Sequence, residues 1–165
     1  LCQNKKVFLT IVGKEKAVYR PLRSNTKSLL SIAKPTFNGF DVSDRVKFIE
    51  RLNLIDYRNL LQSSDLHFYF SRPFVASWSL LEAMSSGAPI VSNPTAMTRE
   101  ILSPGAMPES AFFADCLNHS EAADKVLNLI DDHSFLEELG SRARQRAEMF
   151  DFRSQSAKIM SLVGI

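Results

Sequence analysis

The segment running from Leu66 to Ser92 constrains the fold of this chain more than any other. An apolar run, Leu66-His67-Phe68-Tyr69-Phe70, leads into Ser71-Arg72-Pro73-Phe74-Val75-Ala76-Ser77, then into Trp78-Ser79-Leu80-Leu81-Glu82-Ala83-Met84-Ser85-Ser86. Gly87-Ala88-Pro89 breaks the pattern before Ile90-Val91-Ser92. This order reads as strand, loop, helix (residues 78–86), break and strand. A helix entered from the carboxyl end of a strand presents its first backbone N–H groups where α/β proteins bind phosphorylated ligands. One acid, Glu82, sits inside the otherwise apolar helix.

The rest of the chain repeats the alternation. Residues 6–13 form an apolar, β-branched run ended by Gly13, as in a buried parallel strand. Helices are predicted over 24–33, from an Asp56 cap through 63, over 98–102, over 120–131, over 134–150 and from about 154. Short strands are predicted over 46–49, 66–70, 89–92 and 111–114, and a Pro- and Gly-containing loop over 103–110. The expected class is α/β: a Rossmann-like, open, mostly parallel sheet with helices on both faces. At 165 residues the chain has enough material for one core and too little for two. It opens on Leu1 rather than Met, and its first strand has a central character. The expectation is therefore a fragment that lacks an upstream strand–helix unit.

Composition narrows the function. A net charge of +2 offers no footprint for nucleic acid. Positive charge is denser near the start, at Lys5, Lys6, Lys14, Lys16, Arg20, Arg23 and Lys27, as a solvated face or an anion-facing patch. Cys2 and Cys116 have neither metal-ligand spacing nor a disulfide framework, so a reducing, cytoplasmic setting is expected. No run is long and apolar enough for a membrane span. The absence of a GxGxxG or Walker-type glycine run disfavours a nicotinamide or ATP site. A flavodoxin-like receiver would need acids where the first strand ends, and that place holds Gly13-Lys14.

The candidate residues each carry two readings. Ser79 and Glu82 fit a capping box; alternatively the Glu82 carboxylate accepts hydrogen bonds from vicinal ligand hydroxyls. The backbone N–H groups of Val75, Ala76, Ser77 and Trp78 would face a diphosphate, with small side chains at 76 and 77 allowing close approach. The Trp78 ring belongs more often to a core than to a ligand platform. Arg72 either meets an anion or pairs at the surface. Gly13 either makes a tight turn or lets a ligand approach the sheet edge, and Lys14 and Arg20 either bind phosphate or are solvated. Glu50, Arg51 and Leu52 follow a strand end, a usual place for contacts to a base. His67, His119 and His133 have no metal-like or triad-like partner in sequence and receive no catalytic role.

From Val7 to about Phe152 the order of elements resembles the C-terminal half of a GT-B glycosyltransferase of family 4 (group 1). The resemblance rests on Leu9-Thr10-Ile11-Val12-Gly13, Val46-Lys47-Phe48-Ile49-Glu50-Arg51-Leu52 and Leu60-Leu61-Gln62-Ser63-Ser64-Asp65-Leu66. It rests chiefly on Leu81-Glu82-Ala83-Met84-Ser85-Ser86-Gly87-Ala88-Pro89-Ile90-Val91. It implies a retaining transfer from a UDP- or GDP-sugar to an acceptor hydroxyl, with no metal or other cofactor. Of the family's two signature glutamates, Glu82 matches the second, which contacts the nucleotide ribose. Phe74 stands where the first would hold donor-sugar hydroxyls, and Val75 and Ser77 replace two glycines. Position 50, often Gly in the family, is Glu here. The resemblance also implies a diphosphate-neutralising Arg–Lys pair upstream of Leu1 and a separate N-terminal acceptor half. Any membrane contact would be peripheral and made through that half, and Asp151-Phe152 would stand where a helix crosses back to it. The same residues leave open a non-catalytic sugar-nucleotide- or partner-binding module, because the first acid is missing.

Overall fold

A computed structural model describes residues 7–13, 45–73, 75–103, 105 and 107–164. The helix expected over 24–33, Phe74, Lys14, Arg20, Cys2 and the other basic residues near the start lie outside the described residues. The chain divides into two compact units, Leu1–Tyr57 and Arg58–Ile165.

In the first unit, β1 (Leu9–Val12) and β2 (Val46–Ile49) form a parallel pair in the register Leu9↔Val46 to Val12↔Ile49. The Gly13 N–H extends the ladder to the Ile49 carbonyl at 3.0 Å. β1 begins at Leu9 rather than Lys6 because a strand is defined by its partner, and β2 begins opposite Leu9.

The unit boundary falls within α1 (Leu54–Ser63). Its cap is Asn53, not the expected Asp56: Asn53 Oδ1 accepts from the Asp56 N–H at 2.9 Å, and Asn53 Nδ2 donates to Asp56 Oδ2 at 2.7 Å. Asp56, at the third helical position, thus engages the cap through its backbone N–H and, side chain to side chain, through its carboxylate.

The second unit holds every fully buried apolar residue among those described. Its three strands, β3 (His67–Tyr69), β4 (Ile90–Ser92) and β5 (Phe112–Phe113), lie in the order β3-β4-β5, all parallel. Parallel neighbours need crossovers, and α2 (Trp78–Ser86) and α3 (Ala96–Leu102) supply them. β4 is buried along its whole length. Val91 packs with Ala114, Val126, Leu129 and Leu136 under α4 (His119–Leu129) and α5 (His133–Ala147). Strand alternation turns Ile90 and Ser92 to the opposite face, where they too are buried. A 3₁₀ turn (Glu148–Phe150) leads to α6 (Phe152–Val163), which buries none of its residues. The α/β, Rossmann-like class with parallel strands is the one expected from sequence. No helix among the described residues is long and apolar enough to cross a membrane.

α2 stops at Gly87, whose φ of 75° is the left-handed conformation that favours glycine. Gly87 N–H bonds back to Met84 O and Ala88 N–H to Ala83 O. Gly140 of α5 lies against this stop, and a Cβ there would sit 2.3 Å from the Gly87 carbonyl oxygen. Backbone meets backbone, so no side-chain rotation relieves such a clash. Gly140→Ala is therefore expected to lower stability by a net ~1 kcal/mol or more, despite a helix-propensity gain of similar size. Gly13→Ala meets nothing within 4 Å and should stay within ~0.5 kcal/mol of wild type; urea-denaturation midpoints of both variants check this.

Candidate functional site

Residues 71–77 leave the carboxyl end of β3 and enter α2. Two side chains hold the base of this loop. Asn93, just past β4, accepts from the Ser71 N–H through Oδ1 at 3.0 Å and donates through Nδ2 to the Ser71 carbonyl at 2.8 Å. Tyr69, the last residue of β3, brings its hydroxyl to Ser77 Oγ at 3.1 Å and to the Ser77 N–H at 3.4 Å. Ser77 Oγ also pairs with Ser79 Oγ at 2.7 Å. Asn93 is itself held, because Thr98 Oγ1 donates to its carbonyl at 2.6 Å within the Thr95–Thr98 capping box of α3. Neither Tyr69 nor Asn93 was a candidate on sequence. The Asn93-Pro94 turn signal directly after a strand is the sequence feature that marks the second.

The capping reading of Ser79 and Glu82 is corrected. α2 starts two residues earlier, with Ser77 in the N-cap position at φ −89°, ψ 154°, and its side chain makes no cap hydrogen bond. Tyr69 and Ser79 engage that hydroxyl instead. Glu82 falls on the fifth helical position, beyond reach of a box with Ser79. It is half-buried, and its carboxylate has no hydrogen bond or ion pair within the described residues. The core reading of Trp78 is also corrected: the indole is 80% exposed. Leu80, Ala83 and Met84 form the buried stripe of α2, and the helical period puts positions 78 and 82 together on the opposite side.

Val75 is exposed at 71%, Ala76 is half-buried and Arg72 is exposed. The N–H groups of Val75, Ala76 and Trp78 have no partner within the described residues, whereas that of Ser77 turns to Tyr69. The Ser71 hydroxyl is buried and has no hydrogen-bond partner. The structure therefore gathers Arg72, Val75, Ala76, Ser77, Trp78 and Glu82 on one loop–helix junction. In the first unit, Gly13 and Glu50 stand at the adjacent carboxyl ends of β1 and β2, with Arg51 and Leu52 following. Gly13 has no positive φ, so no left-handed backbone conformation requires a glycine there.

A shallow cavity of about 240 Å³ lies elsewhere, lined by Asp65, Gly87, Pro89, His133, Leu136 and Glu137. It opens where β3 and β4 begin. Ligands of open parallel sheets sit where strands end, so the loop at 71–78 is the stronger candidate. Among the described residues no group of three or more His, Cys, Asp or Glu could hold a metal ion. Burial pushes the His67 imidazole below its ordinary pKa, and the Phe135 N–H and Ser134 hydroxyl that bond Asp132 hold its carboxyl below the usual range.

Parallel strands joined by helices, with an anchored loop at the strand ends, define a Rossmann-like α/β fold. Residues 1–146 match the family described as glycosyl transferases group 1, and the chain belongs to that family. No curated protein matches it. Its fold is similar to that of sucrose-phosphate synthase from Thermosynechococcus elongatus (TM-score 0.70, 17% identity, covering 94% of this chain and 37% of that one). It is also similar to that of HepE from Anabaena, in complex with UDP (TM-score 0.75, 20% identity, covering 96% and 41%). The chain thus spans about two fifths of either of these proteins.

Asn93→Ala would leave the Ser71 N–H and carbonyl unpaired in a partly buried setting and is expected to lose about 1–3 kcal/mol in chemical denaturation. His67 generates a pH effect. With its folded pKa below the unfolded value of 6.5, the unfolded chain takes up the proton first, and stability falls as pH drops below about 6.5. Thermal melts at pH 7 and 5 should show this fall, and His67→Gln should make it shallower.

Proposed function

We propose that this chain is the donor-binding part of a retaining, metal-independent glycosyltransferase of family 4, taking a UDP- or GDP-sugar. The carboxylate of Glu82, which has no partner among the described residues and lies on the helix that follows an anchored strand-end loop, carries the reading. A half-buried acid so placed is set up to accept hydrogen bonds from ribose hydroxyls. Membership of group 1 supports the transferase class, and HepE, described in complex with UDP, supports the nucleotide.

In this reading the N–H groups of Val75, Ala76 and Trp78, which have no partner among the described residues, receive the diphosphate, with Arg72 beside them. An acceptor hydroxyl attacks the anomeric carbon while fixed dipoles and positive charge stabilise the departing diphosphate, a role that removes the need for a metal ion. An N-terminal domain outside this chain would hold the acceptor, and the diphosphate-neutralising Arg–Lys pair would likewise lie outside it. That domain would make any peripheral membrane contact, and the setting would be cytoplasmic.

Calorimetric titration with UDP and GDP tests the proposal. Wild type should bind one of them, and Glu82→Ala should weaken binding about tenfold or more, as expected for losing hydrogen bonds to a charged group. Equal affinity in both proteins would remove Glu82 from the site. The replacement of the first signature acid by Phe74 favours a second reading, a non-catalytic binding module; UDP binding without sugar transfer by the full-length protein would select it.

A further inference from the structure

Between Asp65 and Glu82 the chain contains no acid. The loop therefore cannot hold sugar hydroxyls through a carboxylate of its own. What it exposes instead is apolar: Val75 at 71% and Trp78 at 80%. The base of the loop is fixed by Asn93 and Tyr69, so this surface is presented by an anchored scaffold. Helical side chains tilt toward the helix N-terminus. The Cα–Cβ bond of Trp78, in the first position of α2, is thus tilted past the start of the helix and away from the turn that carries Glu82.

We propose that the exposed Trp78 indole is a stacking platform for the pyranose ring of the donor, making the C–H face of the sugar, rather than its hydroxyls, what this loop recognises. Axial C–H bonds present a weakly positive face that suits the negative face of an aromatic ring. The sugars favoured are those with a continuous apolar face, 6-deoxyhexoses above all. The inference rests on the donor-site reading: with ribose at Glu82 and diphosphate at the loop N–H groups, the sugar comes next in line, beyond the helix start.

Trp78 is the sole tryptophan of the chain, so its emission reports directly on this surface. The experiment titrates the 165-residue chain with UDP, UDP-glucose, UDP-rhamnose, GDP, GDP-mannose and GDP-fucose, following indole fluorescence and, in parallel, calorimetric affinity. The sugar nucleotides should shift or quench the emission more than the matching bare diphosphate does, with the 6-deoxy sugars strongest. Trp78→Ala should lower affinity for the preferred sugar nucleotide about 2- to 12-fold more than affinity for the diphosphate, and Trp78→Phe should restore most of the difference. Equal fluorescence responses to diphosphate and sugar nucleotide, or an unchanged affinity ratio in Trp78→Ala, would overturn the stacking role while leaving the nucleotide site standing. Absence of binding by any of the six compounds would overturn both.

Discussion

The approach of α5 to the end of α2 is the contact on which the second unit depends. Gly140 leaves room for the Gly87 carbonyl, and that closeness lets Leu80, Ala83 and Met84 of α2 bury completely beside Leu139 and Ala143 of α5. Interiors are packed too tightly to absorb an extra methyl between two backbones. Fixing the end of α2 also fixes its axis, and with it the place where its first turn meets the loop. Gly87 then turns the chain into Pro89 and β4, so a single junction sets both the helix and the central strand.

The opposite end of α2 is organised by a side chain acting as backbone. Beyond β3 and β4 the ladder has run out, yet the Asn93 amide makes with Ser71 the donor–acceptor pair that another strand residue would make. Thr98 holds Asn93 in turn, so the cap of α3 and the base of the loop belong to one hydrogen-bonded chain. The consequence is a loop that is fixed at its root and open at its tip. Binding groups carried on a fixed scaffold lose less freedom on association than groups on a loose one, so that division is compatible with recognition.

The elements legible in the sequence were those bounded by strong local signals. The span 78–86 matched because Gly87-Ala88-Pro89 ends any helix, and 46–49 matched because a β-branched run has a parallel partner. Caps were less legible. Asn53 and Asp56 are both good cap residues three positions apart, and only the hydrogen bonds distinguish the cap from the residue that answers it. Ser77 and Ser79 pose the same ambiguity, decided by a tertiary partner, Tyr69, that no local pattern announces. Trp78 departs from expectation for a different reason: residue type favours burial, but the helical wheel sets positions 78 and 82 opposite Leu80, Ala83 and Met84, and the wheel prevails.

The loop and first turn of α2 run against what stability alone would select. A large indole and a valine face water, and among the described residues neither the half-buried Glu82 carboxylate nor the enclosed Ser71 hydroxyl has a partner. Exchanging the exposed and buried character of these positions would remove surface from water and satisfy polar groups. Elsewhere in the same unit Asn118 and Asp132 cap their helices and Thr95 and Thr98 close a box, while Leu117, Phe152 and Leu162 are as exposed as Trp78. What sets the loop–helix junction apart is therefore its polar part, the enclosed Ser71 hydroxyl and the half-buried Glu82 carboxylate. Here they coincide with the strand-end edge where α/β domains meet their ligands.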